Sequence, residues 1–398
     1  MIVLSGAGLV LPDRVVSNGT LEIDGDRIAA IRAGSPASDA RSSFALNGHY
    51  IVPGFVDVHV HGVAGVDTLG GAGSIDAMAA ALPRYGVTAF CPTTIACEPE
   101  ALDQSLAQVS AARRDPARGR ARVLPAHLES NFINPEYAGA QPAACLRSPR
   151  AGPATGSPAG GFGAADILAT IDRHSPDVGI ITLAPELDGG LDLIARLVAA
   201  GRRVALGHSG ASYEEGLAAI AAGARHATHL FNRMPPFNHR DPGLAGAILQ
   251  SDEVAAEIIC DGVHVHPAVV RTAVAAKHPS RIMAITDGTA LSGLPAGATA
   301  LLGAQRISSA GGAARLDDGT LAGSTLTMDG AFRALVISIG CSLVDGATMC
   351  ATTPARELGL VGHGVLAPDA IADLVVLDSA FQVVQTYIGG QLVYARSA

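Results

Sequence analysis

Between residues 55 and 287, short runs of consecutive apolar residues alternate with longer stretches whose apolar positions recur at helical spacing. Eight runs stand out: FVDVHVH (55–61), TAFCPTT (88–94), RVLPAHLE (122–129), GIITLAPE (179–186), RVALGHS (203–209), HATHLFN (226–232), AEIICDG (256–262) and RIMAITD (281–287). Between them lie Ala-rich stretches such as SIDAMAAALPRYG, AADILATIDRH, GLDLIARLVAAG and SYEEGLAAIAAG. Strands buried on both faces read as continuous apolar runs, and their alternation with amphipathic helices marks a parallel sheet. Eight such units over roughly 250 residues predict an α/β fold, a (β/α)8 TIM-type barrel over residues 53–360. A doubly wound open sheet is the structural alternative.

The flanks have a different rhythm. Residues 1–52 carry TLEIDGDRIAAI and ALNGHYIV, and residues 361–398 carry ADLVVLD and VVQTYIGGQLVYA. Short strands broken by Asp-Gly, Asn-Gly and Gly-Gly predict hairpins. The two ends are expected to combine into one small β-sandwich-like domain beside the barrel. The segment RSPRAGPATGSPAGGFGAAD (147–166) reads as a mobile loop after the third strand.

Polar residues interrupt this pattern at particular places. In the first run, His59 and His61 are two apart, so both imidazoles share one face while Val58 and Val60 take the other. Glu129, His208, His229 and Asp287 fall at or near the ends of later runs. In barrels of this type the active site lies at the C-terminal ends of the strands. A buried polar group without a partner costs about 1–3 kcal/mol, so histidines and carboxylates gathered at one end call for a metal rather than for packing. Histidine and carboxylate donors suit one or two divalent ions, Zn, Fe, Mn or Co. Such an ion polarises a carbonyl and acidifies water, and a free carboxylate, Asp287, then carries the proton to a leaving amine. The reaction expected is hydrolysis of an amide or a related bond.

Composition narrows the alternatives. The 398 residues are 48% hydrophobic with mean hydropathy +0.33, yet no apolar run is long enough to span a membrane. The start, MIVLSGAGLVLPDRVV, has no basic segment before its apolar stretch, so no signal peptide is expected and the cytoplasm is the expected compartment. A net charge of −9 disfavours nucleic acid or an anionic membrane as partner. The six cysteines form no C-x-x-C pair and read as reduced thiols. The only lysine is Lys277, in what reads as a surface helix, which removes P-loop and Schiff-base chemistry.

This constellation resembles the amidohydrolase superfamily. Many of its members bridge two metals with a carbamylated lysine on a barrel strand; Lys277 is misplaced for that, whereas Glu129 suits the branch that uses a glutamate on strand three. The ordered set VPGFVDVHVHG, GVTAFCPTT, HLESNFINPEYAGA, LAPE, GHSGASYEEG, ATHLFNRMPPFNHRDPGLAGAIL, ICDGVHVHP, ITDGTALSG and DGTLAGSTLTM is similar to the N-acetylglucosamine-6-phosphate deacetylase family over residues 50–360. The resemblance implies Glu129, His208 and His229 as main metal ligands, His59 and His61 as the pair completing a second site, and Asp287 as general base and acid. It also implies Asn232, Arg240 and His264 as substrate contacts, with Arg240 on the phosphate, and a homodimer acting on a small amino-sugar phosphate. His127 faces the same way as Glu129 and is open to a supporting role, and His266 reads as a helix start.

Three positions depart from that family's pattern. Ser130-Asn131 replaces Gly-Pro, Gln141 replaces a histidine that faces the acetyl carbonyl, and Arg233 replaces a small residue. All three adjoin the expected substrate. They keep open another N-acetylhexosamine phosphate, such as the galactosamine epimer, or another N-acyl substrate. A catalytically silent barrel scaffold is the remaining alternative. It would have lost metal ligands or Asp287, and none is lost.

Overall fold

The computed structural model describes residues 1–34, 43–150 and 161–397; the part of the expected loop at 151–160 lies outside them. Each of the eight apolar runs forms a strand: Phe55–Val60, Val87–Thr94, Ala126–Glu129, Val178–Leu183, Arg203–Leu206, His226–Ala227, Ala255–Ile259 and Ile282–Ile285. These are barrel strands 1 to 8. Each pairs in parallel with the next in sequence order. The ring closes where Val60 bridges Gly288, with Asp287 N donating to His59 O at 3.0 Å and His61 N to Gly288 O at 2.8 Å. A closed parallel ring excludes the open doubly wound sheet.

Alternate side chains on the strands divide between two cores. Phe90, Ile181, Val204, Ile258 and Ala284 pack outward under the crossover helices. Ala89, Cys91, Ile180, Ala205, Ala255 and Met283 fill the lumen. The helix Thr353–Glu357 closes the lower end of the lumen, where Ala355 joins the same cluster. Strand 1 breaks the simple alternation. Its register against strand 2 slips between Asp57 and Val60. Val58 therefore packs in the lumen with Val56 while Val60 joins the outer layer, so the expected common face of Val58 and Val60 is not formed.

Both ends of the chain share one eight-stranded sheet, in which Tyr50–Pro53 pairs antiparallel with Leu374–Leu377. It encloses a separate core of Leu4, Leu21, Ile28, Ile51, Leu374 and Tyr387. An Arg122–Asp373 ion pair at 3.0 Å ties it to the barrel. One element was not anticipated: a four-stranded antiparallel sheet after strand 8, from Thr299–Leu302 to Leu321–Ser324. Its strands are too short and too Gly-interrupted to show a clear period of two. It packs Leu302 and Ile307 against Ile95 and Leu291 beside the mouth of the barrel. Among the described residues no helix is long and apolar enough to cross a membrane, and the six cysteines are unbonded thiols.

Lys277 is not on an exposed helix face. It is buried, on the face of the helix Pro267–Lys277 that also buries Val270 and Ala273. Its ammonium donates to Ile248 O at 3.0 Å and to Ser251 O, satisfying carbonyls at the end of the helix Gly243–Gln250. Replacing it takes this donor from Ser251 O and leaves Ile248 O with the Ser251 N–H at 3.3 Å. We expect Lys277→Met to cost about 1.5–3 kcal/mol, the range for hydrogen bonds from a charged group. The check is the urea midpoint of the purified variant, and an unchanged midpoint would show that the cap contributes nothing.

Candidate active site

Strand ends aim the functional side chains inward. His59 lies in strand 1 and His61 just beyond it, Glu129 ends strand 3, and His208, His229 and Asp287 follow strands 5, 6 and 8 by two residues each. The last three share a rare feature: φ is 49° at His208, 28° at His229 and 48° at Asp287. Non-glycine residues seldom adopt this left-handed region, and such strain, of order 1–3 kcal/mol each, concentrates at functional sites. The backbone turns sharply at each strand end, and this turn brings the side chain over the lumen. Gly62, directly after His61, has no room for a Cβ, which would fall 2.3 Å from Val66 O and 2.6 Å from Ala290 N.

The resulting cluster is compact and buried. Glu129 Oε1 lies 3.0 Å from His208 Nε2, 2.9 Å from His229 Nε2 and 3.6 Å from His59 Nε2. Glu129 Oε2 lies 3.5 Å from His61 Nε2. Asp287 Oδ1 is 3.2 Å from His61 Nε2 and 3.3 Å from His59 Nε2. Three groups have their ligand atoms within 4.8 Å of one another: the two donor sets Glu129–His208–His229 and His59–His61–Asp287 at the strand ends, and His59–His127–Glu257 beneath them. The Nε2 atoms of His208 and His229 are 3.0 Å apart, as are donors that share one cation rather than one hydrogen bond. The site therefore fits divalent metal.

Electrostatics agree. Burial raises the Glu129 carboxyl, but His208, His229 and His59 outweigh it and hold the group well below the ordinary carboxylate range. Burial likewise raises Asp287, and His59 and His61 more than reverse this, so Asp287 is ionised at neutral pH. Burial lowers His59 and His61, yet the surrounding carboxylates lift them to about 9 and about 10. The cluster is built to hold positive charge, which a metal supplies in place of protons.

Supporting hydrogen bonds fix the rings. His61 Nδ1 meets Thr93 O at 3.2 Å, and His208 Nδ1 meets Tyr137 O at 2.9 Å. His59 Nδ1 meets Glu257 Oε2 at 2.8 Å. His127 is a supporting residue: its nitrogens bond Val58 O at 2.9 Å and Thr182 Oγ1 at 2.8 Å. Burial, above all, lowers its pKa to about 3, so it is neutral. Glu257 and its partner His226 were missed in the sequence. Glu257 was one polar residue in the apolar run AEIICDG, and its alternate position on strand 7 was the available signal.

A cavity of ≈ 490 Å³ opens above the cluster, lined by Glu129, His208, His229 and Asp287 at its floor. Asn232, Arg233, His264 and Gln141 also line it. Gln141 donates from Nε2 to Glu129 Oε2 and accepts from Ala96 N at 2.7 Å, so its amide is turned toward the ligand carboxylate. His264 is held by Asp261 at 2.6 Å. Burial lowers its pKa, but Asp261 outweighs that and raises it, favouring a cationic ring. Arg240 is elsewhere: it is exposed on the loop after Met234 and does not line the cavity. Ser130 and Asn131 are buried structural residues. Ser130 Oγ donates to Thr182 O at 2.6 Å, and Asn131 Nδ2 bridges the carbonyls of Cys97 and Cys145. His266 caps the helix Pro267–Lys277.

Known proteins share this architecture. The model of the amidohydrolase family matches residues 50–393. The N-acetylglucosamine-6-phosphate deacetylase of Rattus norvegicus is 39% identical over 87% of this chain and 84% of its own length. The N-acetylgalactosamine-6-phosphate deacetylase of Escherichia coli O157:H7 is 35% identical over 86% of this chain and 87% of its own length. A solved structure of an N-acetyl-D-glucosamine-6-phosphate deacetylase mutant from Mycobacterium smegmatis, in complex with N-acetyl-D-glucosamine-6-phosphate, is 33% identical. It covers 98% of this chain and 99% of that chain, with a TM-score of 0.87. With a closed barrel, a buried histidine–carboxylate cluster and a family match over most of its length, the chain belongs to the amidohydrolase family.

Proposed function

We propose that this chain hydrolyses N-acetyl-D-glucosamine 6-phosphate to acetate and D-glucosamine 6-phosphate. The observation that carries the reading is the ionised Asp287 at the floor of the cavity, beside Glu129, His208 and His229 on one side and His61 on the other. The substrate's identity is supported by the ligand in the solved structure that aligns over 98% of this chain. The galactosamine epimer is the less favoured substrate.

Glu129, His208 and His229 would hold one divalent cation, and His59 and His61 would hold a second, Zn, Fe, Mn or Co. When bound, such ions polarise the amide carbonyl and lower the pKa of water. Asp287 takes the proton from the water oxygen that attacks the acetyl carbon. It then returns that proton to the amide nitrogen as the C–N bond breaks, leaving acetate and a free amine. His264, whose pKa Asp261 raises, Asn232 and the half-buried Arg233 line the same cavity and supply its anion-binding groups. Among the described residues Arg233 has no carboxylate partner within 4.0 Å, which suits it to an incoming phosphate. Arg240 and the exposed Phe237 share an outward loop. This loop is read as the surface of a homodimer, through which Arg240 reaches a phosphate. The setting is cytoplasmic.

The test is acetate release from N-acetylglucosamine 6-phosphate, its galactosamine epimer and the unphosphorylated sugars. Wild type should favour the first. Asp287→Asn keeps the shape but removes the base, so kcat should fall at least about a hundredfold with metal retained. Near-normal turnover in that variant removes Asp287 from the reaction. Arg233→Ala and Arg240→Ala should lose roughly ten- to a hundredfold in kcat/KM on the phosphorylated sugar and little on its neutral counterpart. Equal loss on both sugars would deny the phosphate role.

A further inference from the structure

Below the metal-ligand cluster, a line of buried polar groups runs down the lumen to the opposite end of the barrel. Glu357, on the helix that closes this end, pairs with Arg203, the first residue of strand 5. Arg203 Nε donates to His226 Nδ1 at 3.1 Å. His226 Nε2 meets Glu257 Oε1 at 2.7 Å. Glu257 Oε2 meets His59 Nδ1 at 2.8 Å and also accepts from the backbone N–H of His229 at 3.1 Å. Glu257, His226 and His59 are fully buried.

Donor chemistry gives this line a direction. A guanidinium N–H only donates, so His226 Nδ1 must accept. Burial holds His226 below its ordinary pKa, and the neutral ring then carries its one proton on Nε2. That proton goes to Glu257, an acceptor. The second Glu257 oxygen draws the His59 proton to Nδ1. His59 Nε2, 3.3 Å from Asp287 and 3.2 Å from His61 Nε2, is then the atom left to offer a lone pair to a cation. A ligating imidazole whose other nitrogen is held by a carboxylate is fixed in tautomer and orientation.

We propose that Arg203, His226 and Glu257 form a tautomer relay that sets His59 as a metal ligand from the far end of the barrel. They are positioning residues: none lines the cavity. Glu257 also holds the backbone of His229 at its strained φ of 28°, so one carboxylate braces a ligand of each donor set. The chain of donors and acceptors makes a sharp demand on position 226. The residue there must accept from Arg203 and donate to Glu257. Glutamine can do both with its oxygen and its amide N–H; leucine can do neither.

The relay rests on the reading of His59 as a cation ligand, and the experiment separates the two. Metal-free wild type, His226→Gln, His226→Leu and Arg203→Met are titrated with cobalt(II), following its visible absorption and the bound metal after dialysis. Circular dichroism confirms folding. Wild type should take up two classes of cobalt. In His226→Leu and Arg203→Met the class that depends on His59 should weaken about ten- to a hundredfold, the usual effect of losing a residue behind a ligand, with a changed spectrum. His226→Gln should restore wild-type affinity and spectrum. If His226→Leu does not fold, Arg203→Met decides alone. Equal binding by wild type and all variants overturns the relay, as does equal loss in Gln and Leu, which would make position 226 a matter of packing. A wild type that binds only one class of cobalt instead defeats the reading of His59 as a ligand, and the relay with it.

Discussion

The convergence on Glu129 is the constraint around which the barrel's upper end is organised. One buried carboxylate is approached by four imidazoles, two within 3.0 Å of a single oxygen. Removing such a charge from water is costly unless it is paired and hydrogen-bonded. The chain meets that cost with histidines from strands 1, 5 and 6 and with the amide of Gln141. The left-handed backbone at His208, His229 and Asp287 is the local expense of reaching one point from three strands. The closed ring of strands makes that expense tolerable, because the lumen and helix layers hold every strand end in place.

The same principle organises the second tier. Glu257 is as deeply buried as Glu129 and equally surrounded, by His59, His226 and the backbone of His229. Burial raises its carboxyl, yet His59 and His127 hold it well below the ordinary range, so it is a permanent acceptor. A permanent acceptor directly beneath His59 leaves only Nε2 of that ring available to the site. The site and its foundation are therefore one network of alternating acids and imidazoles, with His61, Glu129, His208, His229 and Asp287 the members that face the cavity.

Much of this was legible in the sequence because burial and periodicity act locally. Continuous apolar runs gave all eight barrel strands, and polar residues at their ends marked His59, His61, Glu129, His208, His229 and Asp287. What was not legible depends on the register between strands. The slip between Asp57 and Val60 moves Val58 into the lumen, and nothing in FVDVHVH announces it. Glu257 looked like one polar residue in an apolar run because its partners come from strands 1 and 6. Lys277 was misplaced because its charge outweighed its position, seven residues after the buried Val270 on one helix face. Arg240 was singled out by its loop, MPPFNHRDPG, but a single chain leaves that loop turned outward.

The central claim is that this network holds cations through two pairs of histidines, His208–His229 and His59–His61, that meet at Glu129. The most direct measurement is the metal content of purified wild type beside a His59→Asn/His61→Asn double variant. The account predicts about two equivalents per chain in the first and about one in the second, retained by Glu129, His208 and His229. Equal metal content in the two proteins would contradict it.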